Sequence, residues 1–499
     1  MDSLEEPRHK IRRYNGPSVR DRRFEGCHLS LSQDRRVQLS VTAERAILVA
    51  VLLPNTSADL HDPLGELASL AHTAGATPVE RVVQQRKSID PGTYIGRGKA
   101  EEIAAIVKAL EADVVLFDND MLPNHLRELE KICDCKILDR SELILDIFAT
   151  RARTREAQLQ VALAQLEYTY PRLRHMWSHL ERIGAGAGAG VGARGPGEMQ
   201  LEIDRRLVRT RISELKSRIA DVQARKTREV SARKQEHFTV SLVGYTNAGK
   251  STLFNTLTGA DTFVEDKLFA TLDTKTRTWR LAAAHSALVS DTVGFVRDLP
   301  HHLVASFKAT LEEATHADLL LILVDVSHPH ALKQLQSVQR VLVEIGCGEQ
   351  PAMLLINKID AVAAPDDLAF WRLTFPDALA ISARHGNGVG VLGEAVLKQM
   401  LGQNLQARIA VPLDDPRGIT FLEKFAVIKA RDYESRTGEV VFDVDISQRI
   451  MDQIYNHVRR PTIIESVPVG GNFIGKARSV RTLIPEKLQA DGARQSGNA

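Results

Sequence analysis

The sequence predicts an α/β multidomain chain: an N-terminal parallel α/β domain, a long helical hairpin, a second and larger α/β domain, and a small C-terminal α+β domain. Three observations carry that expectation. Short apolar runs alternate with amphipathic helical stretches in two separate blocks, which is the pattern of parallel sheets. Between the blocks, residues 151–234 keep helical periodicity without a strand signal. The second block opens on a glycine-rich turn, GYTNAGKS, set between an apolar strand and a helix.

At 499 residues the chain is too long for one core. Hydrophobic content of 43% and charged content of 26% are ordinary for a globular protein. A net charge of +2 excludes a uniformly basic nucleic-acid binder, so any polyanion contact must come from a local surface. Cys27, Cys133, Cys135 and Cys347 show neither metal spacing nor a secretory framework, which suits a reducing compartment. No apolar run reaches the roughly 20 residues that span a bilayer, and MDSLEEPRHK lacks an apolar leader. The expectation is a cytoplasmic monomer without membrane contact.

Taken in order, residues 1–45 are rich in Arg and Asp and are expected to be flexible. AILVAVLLP, from Ala46, reads as a buried strand. DPLGELASLAHTAGA reads as a helix, VERVVQQ as a strand, KAEEIAAIVKALEA as a helix, DVVLFDND as a strand and LPNHLRELEKICD as a helix leading to CKILDR. That places the first α/β domain at 46–148.

Residues 149–235 follow as two long helices, the first expected to bend near Pro171, joined by the glycine segment Gly184–Gly197. From Arg151 to Lys234 there are 18 Lys and Arg against 9 Asp and Glu, an excess of nine positive charges that points to a polyanion-facing surface. The segment GAGAGAGVGARGPG contains a perfect G-x-G-x-x-G. A helix precedes it where a dinucleotide turn needs a strand, so the match is a false lead. Bare backbone here serves close approach to something crowded, and the neighbours Arg194, Arg205 and Arg206 carry the information.

The block at 236–402 carries the chemistry. GYTNAGKS (Gly244, Tyr245, Thr246, Asn247, Ala248, Gly249, Lys250, Ser251) follows the strand FTVSLV and precedes a helix, the context that a phosphate loop needs. Its glycines let N–H groups point at phosphate oxygens, and the following helix adds its positive end. Lys250 reaches the β- and γ-phosphates, and the Ser251 hydroxyl suits Mg²⁺. NKID (Asn357, Lys358, Ile359, Asp360) lies 107 residues after Lys250 behind the strand AMLLI. The Asp360 carboxylate matches the paired N–H donors of guanine and not adenine, so the nucleotide is GTP and this is a P-loop GTPase domain. Ser382, Ala383 and Arg384 would close the base pocket. DTVG (Asp291, Thr292, Val293, Gly294) places an acidic residue to orient Mg²⁺ and the Gly294 N–H to sense the γ-phosphate. Phe295 stands where Ras-type GTPases carry a water-orienting Gln, so slow turnover raised by a partner is expected. Composition alone leaves the second Mg²⁺ ligand open among Thr271, Thr262, Thr274 and Thr276. Asn247 is a candidate for holding a monovalent cation, K⁺. The rest is an α+β domain at 405–465, with a helix expected over ITFLEKFAVIKARD, and a tail at 466–499.

GYTNAGKSTLFN, DKLFATLDT, DTVGFVRDLP and NKID, together with RGPGEMQLEIDRR and IGRGKAEEI, resemble the HflX GTPases over about residues 46–402. That resemblance implies that Thr271 is the second Mg²⁺ ligand and that Phe269, Ala270, Thr271, Leu272 and Asp273 flank the nucleotide. Lys250, Thr271 and Gly294 are then the candidate catalytic residues. It also implies binding to the large (50S) ribosomal subunit, with the N-terminal domain and hairpin against its rRNA, stimulation of hydrolysis by the ribosome, and splitting or rescue of ribosomes under stress. The chain departs from the family pattern at Met199 and Ile203, which replace threonines, and in its extended Gly-Ala alternation. A GTPase switch acting in ribosome assembly or on a protein partner, and an ATP-assisted RNA remodeller, are the alternatives.

Overall fold

Strand β1 (Arg45–Leu52) buries seven of its eight residues, as a central strand covered on both faces must. The computed structural model describes residues 41, 43–54, 62–176, 196–260, 268–269, 274–282, 285–297, 313–362, 365–402, 404–434, 438–468, 477–485 and 488. Most of the N-terminal segment expected to be flexible lies outside these residues, and Arg45 already belongs to β1.

The first sheet has the order β2-β1-β3-β4 and is parallel throughout, with β2 (Thr77–Gln85), β3 (Val114–Phe117) and β4 (Lys136–Asp139). Alternate residues of β1 feed two cores. Ala46, Leu48 and Ala50 pack with α1 (Gly65–Ala74) and α4 (Arg140–Arg151). Ile47, Val49 and Val51 pack with α2 (Arg97–Leu110) and α3 (Pro123–Cys133). The period of two along one strand thus serves helices on both faces. Asp139 caps α4 by accepting from the Glu142 N–H at 2.9 Å, and Gly75 ends α1 in the left-handed conformation.

Helices α5 (Arg155–Met176) and α6 (Pro196–Glu236) pack through Leu163, Leu215 and Ile219. Glu167 pairs with Lys216 at 2.8 Å and Tyr170 meets Arg209, so the two helices run antiparallel. Pro171 lies within the continuous run of α5. Of the glycine segment, residues 184–195, Arg194 among them, lie outside the described residues. Pro196 occupies the first position of α6, where its missing N–H costs nothing. Arg205 is half-buried and Arg206 exposed on α6.

The second sheet has the order β10-β9-β8-β5-β7-β6. Strands β5 (Phe238–Gly244), β7 (His285–Asp291), β8 (Leu319–Asp325), β9 (Pro351–Asn357) and β10 (Leu379–Ala380) are parallel. Only β6 (Lys275–Ala282) runs antiparallel, to β7, in the main path. Helices α7 (Lys250–Thr258), α8 (Ala331–Glu344), α9 (Pro365–Thr374) and α10 (Val389–Leu401) belong to this unit. The carboxyl ends of β5, β7, β9 and β10 lead into GYTNAGKS, DTVG, NKID and Ser382–Arg384, where an open α/β sheet places its ligand.

The last sheet, β12-β13-β11-β14, is antiparallel, with β11 (Asn404–Pro412), β12 (Val427–Glu434), β13 (Glu439–Ser447) and β14 (Thr462–Pro468). With α11 (Pro416–Phe425) and α12 (Gln448–His457) the chain order is βαββαβ, the split-βαβ arrangement. Two expectations fail here. The helix expected over ITFLEKFAVIKARD ends at Phe425, and its second half is the edge strand β12. Pairing with β13 wins over the helical pattern, helped by the Lys429–Asp445 pair at 2.6 Å and the Arg431 guanidinium 4.9 Å from the Phe442 ring. The stretch expected as a tail also has structure. Arg478–Ser479 form β15, antiparallel to β9, and Val480, Leu483 and Ile484 are buried in the core beside α8. The Gln339 side chain donates to the carbonyls of Val480 and Arg481 at 2.8 and 3.1 Å.

Candidate functional site

The phosphate loop begins where β5 ends, and steric demands explain its glycines. A Cβ on Gly244 would lie 2.5 Å from the Leu323 carbonyl oxygen, so only glycine lets β5 leave β8 at this angle. Gly249 takes φ +93°, and a Cβ there would lie 2.3 Å from Asn357 Nδ2. Asn247 is exposed with φ 60°, a conformation that asparagine tolerates. Helix α7 then starts at Lys250, whose Nζ donates to the carbonyls of Gly244 at 3.1 Å and Tyr245 at 2.8 Å. Burial pushes the Lys250 pKa down from 10.5 to about 8, against the opposing pull of Asp291. This ammonium is held dry beside the loop, where an anion would favour its charged form.

Ser251 Oγ donates to Asp291 Oδ2 at 2.7 Å. Asp291 is 1% exposed at the end of β7, so a hydroxyl and a carboxylate, both hard oxygen donors suited to Mg²⁺, meet beside the loop. Thr271, Ala270, Leu272 and Asp273 lie outside the described residues, as does Thr262. Thr274 and Thr276 both donate to Glu313, at 3.2 and 3.3 Å, and Thr276 also meets Ser290 at 2.9 Å. The Phe269 ring is buried against Phe148 of α4 with centroids 4.6 Å apart, so this side chain packs with the N-terminal domain.

DTVG comes close to the phosphate loop. Thr292 Oγ1 donates to the Leu242 carbonyl at 2.6 Å, which fixes the strand end. A Cβ on Gly294 would lie 2.9 Å from Lys250 Nζ and 2.7 Å from Thr246 Cγ2, so glycine is required at this approach. Phe295 N–H donates to the Gly244 carbonyl at 3.1 Å, and Thr246 N–H to the Phe295 carbonyl at 2.7 Å. Val293 and Val296 are buried in the core shared with α1 and α4.

The base-reading side is joined to the loop by one side chain. Asn357 Nδ2 donates to the Ala248 carbonyl at 2.7 Å, while its Oδ1 accepts from Ala383 N–H at 3.0 Å. Thr256 on α7 adds a bond to the Ala383 carbonyl at 2.7 Å. Lys358, at φ 63°, pairs with Asp325 at 2.7 Å. A hydrogen bond from the Ser382 hydroxyl holds the Asp360 carboxyl below its usual range, with His385 3.6 Å away, so it is ionised at neutral pH. Ile359 follows in a short 3-10 turn, and Arg384 is exposed. Thr256, Glu313, Asp325 and His385 lie outside every motif read from the sequence.

Comparison with known proteins agrees with this arrangement. Three family models match in succession: a GTP-binding GTPase N-terminal region at residues 61–149, a GTP-binding GTPase middle region at 151–233, and a 50S ribosome-binding GTPase at 239–358. The chain is 38% identical over 424 residues to GTPase HflX of Caldanaerobacter subterraneus subsp. tengcongensis, covering 84% of this chain and 95% of the relative. It is 43% identical over 376 residues to GTPase HflX of Escherichia coli (strain K12), covering 75% and 87%. GTPase HflX of Lacrimispora saccharolytica is 41% identical over 399 residues, covering 80% and 93%. With GYTNAGKS, NKID and most of the length of such relatives in one chain, this protein belongs to the HflX GTPase family.

Proposed function

We propose that this HflX-family GTPase binds GTP at the loop Gly244–Ser251, hydrolyses it to GDP and phosphate with Mg²⁺, and acts on the large (50S) ribosomal subunit to split or rescue ribosomes under stress. The observation that carries the GTP reading is the Asn357 side chain, which joins the phosphate loop to the Asp360 and Ser382–Arg384 pocket. Ser251 and Thr271 would ligate Mg²⁺, with Asp291 orienting it through its water. Held there, Mg²⁺ would supply charge neutralisation to the phosphates. Lys250 adds a second positive charge, Gly294 senses the γ-phosphate, and Asn247 would help to hold K⁺. Phe295 offers no hydrogen bond to a water, so intrinsic turnover is slow and the ribosome raises it. The excess of nine positive charges over residues 151–234 supports an rRNA partner for the hairpin, reached through Gly184–Gly197, Arg194, Arg205 and Arg206. A cytoplasmic monomer fits this role, and among the described residues no helix is long and apolar enough to cross a membrane.

Co-sedimentation with 50S particles tests the ribosomal part. The protein should pellet at low salt with a non-hydrolysable GTP analogue and be released as salt rises. Failure to pellet at low salt would remove the ribosomal reading.

A further inference from the structure

A cluster of two carboxylates and two guanidiniums, with Asp118 and Arg140 buried and Glu66 and Arg297 half-buried, lies between the N-terminal domain and the candidate GTP site. Glu66 in the first turn of α1, Asp118 after β3 and Arg140 at the start of α4 come from one side. Tyr245 of the phosphate loop and Arg297, three residues past Gly294, come from the other. Arg140 bridges Asp118 at 2.6 Å and Glu66 at 3.0 Å, and Arg297 also pairs with Asp118. Glu66 Oε1 accepts from Tyr245 Oη at 2.7 Å and from the Arg297 N–H at 3.2 Å, and that N–H lies 2.6 Å from Tyr245 Oη. Burial pushes the Glu66 carboxyl up, but Arg140, Arg297 and Tyr245 together hold it below its usual range, so it stays ionised in this setting.

The contacts continue into the site. The Tyr245 carbonyl accepts from Lys250 Nζ, and Thr246 N–H donates to the Phe295 carbonyl at 2.7 Å. A phosphate-loop donor is therefore used by a carbonyl oxygen of the segment that follows DTVG. A third phosphate would lie beside Lys250 and Gly294, where this bond holds the segment against the loop.

We propose that Glu66, a residue of the N-terminal domain, is a positioning residue of the GTP site: by holding Tyr245 and Arg297 together it keeps the Phe295 carbonyl on the phosphate loop and favours GDP over GTP. The inference rests on the GTP reading above. Removing the charge in Glu66→Gln loosens the tie. The Tyr245→Phe variant removes only the hydroxyl and leaves the four charges paired, so it remains informative if Glu66→Gln misfolds.

The test is titration of the full chain with GDP and with a non-hydrolysable GTP analogue, both in Mg²⁺. In each variant the affinity for the analogue relative to GDP should rise about tenfold, the size expected for one charge-assisted hydrogen bond. The double variant should gain no more than either single one, because both act on one contact. A purely structural contact would shift both nucleotides together, and that result, or no shift in Tyr245→Phe, overturns the proposal. If the unaltered chain binds neither nucleotide, the GTP reading itself has failed and takes this inference with it.

Discussion

Raising the pH through 8 should weaken nucleotide binding, because Lys250 must be charged to meet the phosphates. Burial puts its pKa near 8 in the ligand-free protein. Phosphate oxygens favour the charged form and should return it to at least its ordinary 10.5. Below pH 8 the lysine already carries its proton and the affinity should be flat. Above pH 8 binding must take up a proton, so affinity falls about tenfold per pH unit, which makes binding at pH 9 roughly tenfold weaker than at pH 7. The assay is titration of a fluorescent GDP analogue at constant ionic strength and Mg²⁺ from pH 6.5 to 9.5. Lys250→Met should bind weakly and lose this part of the pH dependence, leaving only the titration of guanine itself. A flat profile to pH 9.5 in the unaltered protein, or an unchanged slope in Lys250→Met, would refute the reasoning. The same shift means that the fold binds fewer protons than the unfolded chain between pH 8 and 10.5. The lysine's burial penalty is therefore full below that window and is relieved as pH rises through it.

The remaining expectations concern other parts of the molecule. Asp360→Asn should cut GTP affinity by about a hundredfold and transfer preference to xanthosine triphosphate; retained guanine preference in competition binding would contradict the pocket assignment. Gly294→Ala places a methyl 2.9 Å from Lys250 Nζ and 2.7 Å from Thr246 Cγ2. It should lower kcat for GTP at least tenfold while GDP affinity changes by less than about threefold, and equal losses in both would show a general collapse of the loop. Shortening Gly184–Gly192 should leave GTP binding intact while reducing ribosome-stimulated turnover, and full stimulation by 50S particles would make the segment a spacer.

Much of the site was legible in the amino-acid order because phosphate binding is a local event. Gly244, Gly249, Lys250 and Ser251 fall within one turn between one strand and one helix, although the groups that exclude a side chain at the two glycines, the Leu323 carbonyl and Asn357, come from neighbouring strands. Asp360 and Ser382–Arg384 could be read because parallel sheets deliver their loops at one edge, so a motif behind a strand has a known address. Alternation of apolar runs likewise disclosed both parallel sheets. The split of β12 from α11 was hidden, since VIKARDYE carries a helix-compatible charge pattern and becomes a strand only when β13 lies beside it. Arg478–Ile484 looked like tail because its few apolar residues acquire a core only from α8 and β9. The Glu66–Arg297 contact spans 231 positions, and Tyr245 meets Glu66 across 179. No periodicity or spacing links residues so far apart. Sequence alone placed a G-x-x-x-x-G-K-S turn between a strand and a helix and NKID behind another strand, because those spacings are local. Tertiary structure alone decided that the N-terminal domain holds the phosphate loop, because only docking brings the half-buried Glu66 carboxylate to two guanidiniums that can keep it charged.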